Sequence, residues 1–270
     1  MNNELLISCV MAVNKDDGYL EEAVRSILNQ TFTAFEFIIV ANNCEDVFFN
    51  KLSAYKALDP RIKIYRTTIG QLPYNLNYGV DVAQGRYIAR MDADDIADVN
   101  RFARQIEYMQ AHPEIDVLGS NFDRINEDGS IIASNYVFYE NHNDIKRNMR
   151  LKCCMCHPTV MFKKEAFLKA GGYAYGFTAE DYDLWLRMLD RNYTFHNLTD
   201  KLLQYRTHGN SATNNNSNLK RNIAYTTSLL YRRFIETKDV GYLLGLFIAS
   251  SWGIKLIHLR SKALRFFAKK

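Results

Sequence analysis

The protein has 270 residues and a formal net charge of +4, with 47% hydrophobic and 24% charged residues. A chain of this length can bury a substantial core, and the composition excludes an intrinsically disordered protein. The charge is unevenly distributed. Residues 201–270 contain 13 basic and two acidic residues, whereas residues 1–200 contain 21 basic and 28 acidic residues. The sequence therefore predicts an acidic α/β body followed by a basic tail.

The beginning of the sequence and its cysteines both point to the cytoplasm. Residues 1–4 lack the basic segment of a signal peptide, and the apolar run that follows them is short. Three of the five cysteines are bunched at Cys153, Cys154 and Cys156, which is unlike the even spacing of a secreted disulfide framework. We expect a cytoplasmic protein with reduced thiols.

Strands and helices alternate along the first third of the chain. The predicted strands are Leu5–Val13, Phe35–Ala41, Ile62–Tyr65 and Arg86–Met91, and the predicted helices are Tyr19–Leu28, Val47–Leu58 and Leu76–Ala83. Short apolar runs bounded by polar loops indicate the strands, and apolar residues at helical spacing indicate the helices. This alternation is typical of a doubly wound α/β sheet, in which ligands bind beyond the carboxyl ends of the strands.

Beyond residue 91 the order of elements is less regular. The predicted elements are a helix at Asn100–Gln110, a strand at Val117–Ser120, a hairpin-type turn at Asn126–Gly129, a strand at His157–Phe162 and helices at Lys164–Ala170 and Ala179–Met188. A second region therefore follows the alternating one, and it contains its own group of acidic residues.

Three polar loops follow strand ends in the alternating region, at Asn14–Gly18, Ala41–Asp46 and Asp92–Asp95. Loops at the same edge of a sheet lie close together, so a nucleotide can lie across the first two with its phosphates held by a metal at the third. No glycine-rich phosphate-binding motif follows the first strand. A metal and basic side chains would then meet the phosphate charge.

Two acidic groups are candidates for chemistry. Asp92, Asp94 and Asp95 follow a buried strand, where crowded carboxylates favour a divalent cation, although a solvated loop capping a helix near Ala97 is the simpler alternative. Asp95 is equally suited to both roles. The second group opens the predicted helix at Ala179–Met188, where its carboxylates either face a cleft or only cap the helix.

Five segments carry a resemblance to a known family. They are Tyr19–Val24, Ser26–Phe32, Tyr87–Asp95, His157–Phe162 and Glu180–Arg187. Their order and residues resemble glycosyltransferase family 2 over about residues 5 to 212. The resemblance implies a GT-A fold, which is a doubly wound mixed sheet flanked by helices. It also implies a nucleotide-sugar donor, a divalent metal (Mn2+ or Mg2+) and inversion at the anomeric carbon.

The resemblance also implies roles for single residues. Asp92 would lie near the donor ribose and the metal, and Asp94 would bind the metal that bridges the diphosphate. Arg90, which lies beside them in the sequence, is expected to be among the residues that bind the donor. Asp181 would be the general base that deprotonates the acceptor hydroxyl, with its neighbour Glu180 as the competing candidate.

One position departs from the family pattern. Where the family commonly has an aspartate that holds the uracil ring, this chain has Ala41, which has no side-chain acceptor. Recognition of the base would then pass to Asn42 or Asn43, or to backbone groups near Val13 and Asn14. UDP remains the expected nucleotide.

A motif near the end of the resemblance contains Arg206 and His208. His208 is expected to approach the metal or the diphosphate, and Arg206 to neutralise phosphate charge. The alternative is a histidine that only orders a surface loop.

The tail follows a polar link at Thr213–Asn218, so we predict a catalytic domain at residues 1–212 and a helical, basic extension at residues 213–270. Val240–Ile254 has no charged residue but is shorter than the roughly 20 residues of a membrane span. Basic and apolar residues alternate after it, which favours an interfacial helix on anionic lipid. The alternatives are a hairpin packed on the body or on a partner copy in a homo-oligomer. No nucleic-acid-binding motif accompanies the charge.

Together these features predict an inverting, metal-dependent glycosyltransferase at the inner face of the cytoplasmic membrane. It would use a nucleotide-sugar donor and a glycan or lipid-linked acceptor in surface polysaccharide synthesis. Two alternatives remain open. A non-catalytic sugar-nucleotide-binding or scaffold protein would explain the missing aspartate at position 41. A nucleotidyltransferase would also use paired carboxylates and a metal, but with a basic glycine-rich loop after the first strand that this sequence lacks.

Overall fold

The computed structural model describes residues 6–133, 138–174, 178–209, 216–250, 252, 253 and 255. A mixed sheet lies at its centre. The strands are β1 (Ile7–Val13), β2 (Phe35–Asn42), β3 (Ile62–Thr67), β4 (Tyr87–Arg90), β5 (Ile96–Ala97), β6 (Val117–Ile125), β7 (Ile131–Ala133), β8 (Met161–Lys163) and β9 (Phe195–Arg206). Their order in the sheet is β3-β2-β1-β4-β8-β6-β9-β5, and β7 pairs with β6.

Helices alternate with the strands along the chain and follow the last strand. They are α1 (Leu20–Leu28), α2 (Asp46–Ala54), α3 (Leu72–Val82), α4 (Arg101–Ala111), α5 (His142–Asn148), α6 (Lys164–Ala170), α7 (Glu180–Asp190), α8 (Asn216–Thr237) and α9 (Gly241–Ala249). Single 3-10 turns occupy Tyr55–Ala57 and His157–Thr159. The predicted doubly wound mixed sheet flanked by helices is confirmed.

The parallel half of the sheet is deeply buried in the core. β1 pairs in parallel with β2 on one side and with β4 on the other, so the direction of winding reverses at β1. All eight residues of β2 are buried, as expected for a strand covered on both faces. At Gly79 of α3 an added Cβ would lie 2.5 Å from the Val10 side chain. The glycine therefore lets α3 lie directly against β1.

The other half is mostly antiparallel. β8 pairs antiparallel with both β4 and β6, whereas β6 and the long β9 run parallel. The two-residue strand β5 pairs antiparallel with β9, with Ile96 opposite Gln204. This pairing brings the end of β9 beside the loop that follows β4.

The structure corrects three predicted elements. No helix begins near Ala97, because Ile96 and Ala97 form β5, and α4 begins only at Arg101. The predicted strand at His157–Phe162 is a 3-10 turn followed by β8. The third helix begins at Leu72, four residues before the predicted start, since Pro73 fits the first turn of a helix.

Packing divides the chain into two units. The first is Met1–Ile145 with Met155–His208, and the second is Lys146–Cys154 with Gly209–Lys270. Within the second, Arg150 Nη1 lies 2.7 Å from Asp239 Oδ2. Within the described residues, no helix is both long enough and apolar enough to cross a bilayer. The predicted boundary at residues 212 and 213 and the basic residues after 255 lie outside the described part.

Candidate active site

The loops after β1, β2 and β4 meet at one edge of the sheet. β1 lies between the other two strands, and all three run in the same direction. Their carboxyl ends therefore border one crevice at the point where the winding reverses, which is the usual ligand position in such sheets. The crevice brings together most of the residues that the sequence singles out.

The first two loops carry the predicted nucleotide-binding residues. Val13 lies opposite the fully buried Ala41 in the sheet. Asn14 and Asn43 are exposed beyond the strand ends, whereas Asn42 is 7% exposed and pairs with Thr67 of β3. Asn43 has a positive φ of 44°, a conformation that asparagine tolerates better than most residues. Of the four predicted nucleotide-binding residues, Asn14 and Asn43 are therefore the two with exposed side chains.

The third loop holds a compact cluster of carboxylates. Asp92, Asp94 and Asp95 each offer one oxygen, and these oxygens lie within 4.8 Å of one another. Burial and the charges of Asp92 and Asp94 raise the pKa of Asp95 well above its usual value. Burial, opposed by Arg90, also raises the pKa of Asp92. Three carboxylates this close favour either a shared proton or a cation.

Asp95 is not a helix cap. It is 1% exposed, and its Oδ1 accepts a hydrogen bond of 2.9 Å from the backbone N–H of Arg206 on β9. Its Oδ2 is buried with no hydrogen-bond partner among the described residues. The sequence left the role of Asp95 open, and the structure places it inside the acidic cluster.

The cluster fits a divalent metal. Its donors are carboxylate oxygens, which Mg2+ and Mn2+ prefer, and the unpartnered Oδ2 of Asp95 would be satisfied by a cation. A bound cation would also relieve the repulsion that raises the pKa of Asp95. Asp92, Asp94 and Asp95 are thus the residues that would hold it.

His208 contacts this cluster from the end of β9. Its Nε2 lies 2.9 Å from Asp94 Oδ2, and its ring packs against Tyr19 with the ring centroids 5.2 Å apart. The ring is 6% exposed. His208 is therefore part of the site and is hydrogen-bonded to a candidate metal ligand, while direct ligation by His208 stays a prediction.

Arg206 is bound by protein groups on several sides. Its Nε donates to the backbone oxygen of Asp94 at 2.9 Å, and its Nη2 pairs with Glu22 of α1. Its Nη1 donates to the backbone oxygens of residues 126 and 127, and the guanidinium lies 4.4 Å from the centroid of the Tyr19 ring. At 2% exposure it ties the acidic loop to α1 and β9. The predicted contact with phosphate remains untested.

The second acidic pair opens α7. Burial and the charge of Asp181 raise the pKa of Glu180 to about 7, and burial also raises the pKa of Asp181. Asp181 Oδ1 accepts a 2.8 Å hydrogen bond from the N–H of Tyr182. The third carboxylate of this helix, Asp183, pairs with Arg187 at 2.8 Å and so stabilises the helix itself. The two carboxylates with raised pKa values are those suited to receive a proton.

Arg90 interacts with both acidic groups. It is 3% exposed, and its Nη2 lies 2.6 Å from Asp92 Oδ1. Its charge lowers the pKa values of both Glu180 and Asp181, whereas the charge of Asp92 raises them. The Nε and Nη1 atoms of Arg90 have no hydrogen-bond partner among the described residues. The acidic cluster at Asp92–Asp95 and the carboxylate pair of α7 therefore belong to one electrostatically coupled site.

Two further buried side chains reach this site. His157 Nε2 and the Tyr173 hydroxyl are 2.7 Å apart, and His157 Nδ1 is 4.0 Å from Glu180 Oε1. The sequence shows His157 only as part of a family segment and gives no sign of Tyr173 beyond its position after two glycines. Tertiary packing alone brings Tyr173 to Glu180.

Comparisons with known proteins identify the family. The family model described as glycosyl transferase family 2 matches residues 8–171. An O-antigen biosynthesis glycosyltransferase of Escherichia coli, WbnJ, is 41% identical over 241 residues, which is 87% of this chain and 91% of WbnJ.

Two solved structures share the fold. S. aureus TarS 1-349 in complex with UDP has a TM-score of 0.65 and 15% identity over 91% of this chain and 72% of that one. The mannosyltransferase PcManGT from Pyrobaculum calidifontis, in complex with GDP-Man and Mn2+, has a TM-score of 0.63 and 14% identity over 92% and 72%. The extent of the family match and the identity to WbnJ are decisive. The chain belongs to glycosyl transferase family 2 and is a glycosyltransferase.

Proposed function

We propose that the chain transfers a sugar from a nucleotide-sugar donor to a hydroxyl of a glycan or lipid-linked acceptor, with inversion at the anomeric carbon. The observation that carries this proposal is the coupling of two acidic groups through Arg90 in one crevice. One group suits the leaving diphosphate, and the other suits the attacking hydroxyl. A single-displacement transfer needs both.

The donor side consists of the acidic cluster and its supports. Asp92, Asp94 and Asp95 would hold Mn2+ or Mg2+, and PcManGT was solved with Mn2+. When bound, such a cation stabilises negative charge on the departing diphosphate. His208 orients Asp94 through the 2.9 Å hydrogen bond, and Arg206 fixes the loop by its backbone contacts. These contacts fix the orientation of the carboxylates before the donor binds.

The nucleotide would lie across the loops after β1 and β2. Val13, Asn14, Asn42 and Asn43 border this region, and the exposed Asn14 and Asn43 are the side chains available for the base. UDP is our first choice, supported by the TarS complex with UDP. Since PcManGT was solved with GDP-Man, the structural likeness alone is compatible with either nucleotide.

On the acceptor side, Asp181 would take the proton of the acceptor hydroxyl. The freed oxygen then bonds to the anomeric carbon, while the bond from that carbon to the diphosphate oxygen breaks and its electron pair leaves with the diphosphate. Burial raises the pKa of Asp181 and so makes it a stronger base than an exposed aspartate. Glu180 is the alternative base, because its pKa of about 7 is also suited to proton transfer.

A surface polysaccharide is the proposed product. The support is the role of WbnJ in O-antigen biosynthesis, together with the 91% of WbnJ that this chain covers. The sugar and the linkage are not specified by the site.

We also propose that the second unit binds an anionic membrane surface. α9 exposes an apolar stripe at helical spacing, while its opposite face is buried at Tyr242 and Gly245. The stripe is Val240, Leu243, Leu244 and Phe247. The sequence after residue 254 adds six basic residues and no acidic one. An exposed apolar stripe beside basic residues fits the interface of anionic lipid.

A donor screen tests the proposed reaction. The protein is incubated with Mn2+, a glycan or lipid-linked acceptor and a panel of UDP-, GDP- and dTDP-sugars, and release of nucleoside diphosphate is measured. Acceptor-dependent release from one donor supports transfer. Donor binding without release would support the scaffold alternative. Release of pyrophosphate from a nucleoside triphosphate and a sugar phosphate would instead identify a nucleotidyltransferase.

Vesicle flotation tests the membrane proposal. Leu244→Glu and Phe247→Glu should each reduce binding to vesicles containing phosphatidylglycerol, because these apolar residues are 54% and 49% exposed. Val47→Glu is the matched control, since Val47 is 80% exposed but belongs to the first unit. Binding of all three variants at the wild-type level would refute a role for α9.

A further inference from the structure

His157 and Tyr173 form a buried hydrogen-bonded pair next to the acidic residues of α7. His157 Nε2 and the Tyr173 hydroxyl are 2.7 Å apart, Tyr173 is 2% exposed, and the side chain of His157 is 10% exposed. Neither residue is needed for the proposed contacts with donor or metal. Burying two polar groups is costly unless their hydrogen bonds are satisfied, so their position beside Glu180 calls for a physical reason.

Tyr173 is fixed by its own backbone. The side chain of Asn77 on α3 accepts from the N–H of Tyr173 at 2.9 Å and donates to its carbonyl oxygen at 2.8 Å. Arg187 of α7 donates to the carbonyl oxygen of Gly172 at 2.6 Å. A Cβ added at Gly172 would lie 2.7 Å from Asn77 Oδ1. Helices α3 and α7 together set the position of the Tyr173 hydroxyl.

His157 connects that hydroxyl to Glu180. Its ring meets the rings of Tyr173 and Trp185 edge-on, at 5.3 Å and 6.3 Å between centroids. Its Nδ1 faces Glu180 Oε1 at 4.0 Å, which becomes a hydrogen bond after a shift of about 1 Å. Such contacts commonly shorten when substrate binds.

The protonation of the pair follows from its surroundings. Burial and the nearby charge of Arg90 lower the pKa of His157 well below its usual value, so the imidazole is neutral and carries one proton. Burial raises the pKa of Tyr173 well above its usual value, so the hydroxyl keeps its proton. A hydroxyl that donates to Nε2 leaves the single imidazole proton on Nδ1, on the side of Glu180.

We propose that Tyr173 and His157 are positioning residues for the carboxylate pair of α7. The Tyr173 hydroxyl donates to His157 Nε2. When the 4.0 Å gap closes on acceptor binding, the Nδ1–H of His157 donates to Glu180 Oε1, and Glu180 in turn sets the orientation of Asp181 toward the acceptor hydroxyl. The inference rests on the proposed function. Tyr173 lies in the loop that follows α6, so this loop contributes to catalysis by positioning the carboxylates of α7, a role that the donor-binding residues do not supply.

A second Tyr–His pair in the same domain provides a control. The Tyr108 hydroxyl lies 3.0 Å from His196 Nε2, and the two rings stack at 4.8 Å. This pair joins α4 to β9 and has no carboxylate of α7 among its contacts. Removing the hydroxyl of Tyr108 therefore makes the same chemical change at a place where the inference predicts no kinetic effect.

Steady-state kinetics of four variants test the inference. Tyr173→Phe removes one hydroxyl and should lower kcat by about tenfold or more while the KM for the donor changes by less than about twofold. Tyr108→Phe should leave both constants near the wild-type values. His157→Asn retains an N–H donor near the position of Nδ1, whereas His157→Gln places its donor near that of Nε2. The Asn variant should therefore keep more of the wild-type kcat.

The outcomes separate this inference from the proposed function. Wild-type kcat in Tyr173→Phe, or a Gln variant more active than the Asn variant, would overturn the positioning role. Equal losses in Tyr173→Phe and Tyr108→Phe, accompanied by lower melting temperatures, would show that both pairs only stabilise the fold. A wild-type protein that releases nucleoside diphosphate from no donor would refute the proposed function itself, whichever way the variants behave.

Discussion

His208 Nε2 lies 2.9 Å from Asp94 Oδ2, although the two residues are 114 positions apart in the chain. The contact exists because β5 pairs with β9, which places the end of β9 against the loop after β4. An imidazole that bonds one oxygen of a carboxylate fixes the orientation of that carboxylate and leaves its other oxygen available to a cation. The loop after β4 and the end of β9 therefore meet at the same acidic cluster.

His208→Ala should weaken binding of Mn2+ without removing it. Loss of a hydrogen bond to a metal ligand typically costs roughly 10- to 100-fold in affinity, whereas Asp94→Ala removes the ligand itself and should abolish metal-dependent donor binding. Isothermal titration with Mn2+ measures both effects. His112→Ala is the control, because His112 is largely exposed and lies outside the cluster. An unchanged affinity in His208→Ala would contradict an orienting role for the imidazole.

The stability gained from Mn2+ should increase with pH. The pKa values of Asp92 and Asp95 are raised in the folded protein, so the metal-free fold is favoured below the usual pKa of aspartate and loses stability as pH rises through the raised values. Metal binding requires the ionised carboxylates and relieves their repulsion. The increase in melting temperature on adding Mn2+ should therefore be larger at pH 8 than at pH 5. Equal increases at both pH values would place the metal elsewhere.

The sequence predicts the parallel half of the fold well, because its strands are long apolar runs and its helices have clear periodicity. It fails where an element depends on a distant partner. Ile96 and Ala97 are a strand only because Leu203 and Gln204 lie beside them. These two-residue contacts leave no periodic pattern in the sequence.

The sequence likewise predicts those residues of the candidate site that depend on local pattern and misses those that depend on distant partners. Asp92, Asp94, Glu180 and Asp181 are visible as acidic groups at element ends. Asp95 could not be assigned, because the N–H that satisfies it belongs to a residue 111 positions later. The position of Tyr173 beside the site depends on its contacts with Asn77 and His157, which are separated from it by 96 and 16 residues. Such contacts between distant residues cannot be predicted from the local sequence.

Separate substitution of Asp181 and Glu180 should show which of the two is the general base. Asp181→Asn should retain donor binding and lower kcat by at least about 100-fold, as expected for removal of a general base. Glu180→Gln should retain more activity. The effects are measured as kcat with saturating donor, and donor binding is measured separately by calorimetry. The reverse ranking, with Glu180→Gln the less active variant, would assign the base to Glu180.

Glu180 should also make stability depend on pH. Its pKa is raised from 4.5 to about 7, so its contribution to stability is fully present below pH 4.5 and is lost as pH rises through about 7. Glutamine stays neutral throughout. Glu180→Gln should therefore exceed the wild type in melting temperature at pH 8, and the difference should shrink at lower pH. A variant that is less stable than the wild type at pH 8 would contradict burial as the cause of the raised pKa.

Replacement of Arg90 tests whether one cation holds the two acidic groups together. Arg90→Met leaves Asp92 without its buried partner, and breaking such a pair costs about 3 kcal/mol or more of unfolding free energy. The loss should be largest in metal-free protein at neutral pH and smaller in acid, where Asp92 takes up a proton. Mn2+ should restore part of it, because a second cation then faces Asp92. Urea unfolding with and without Mn2+ measures these differences.

Arg104→Met, which removes an exposed pair with Glu107, should cost less than about 1 kcal/mol under all conditions. A similarly small loss in Arg90→Met would show that Asp92 does not depend on Arg90 for its charge.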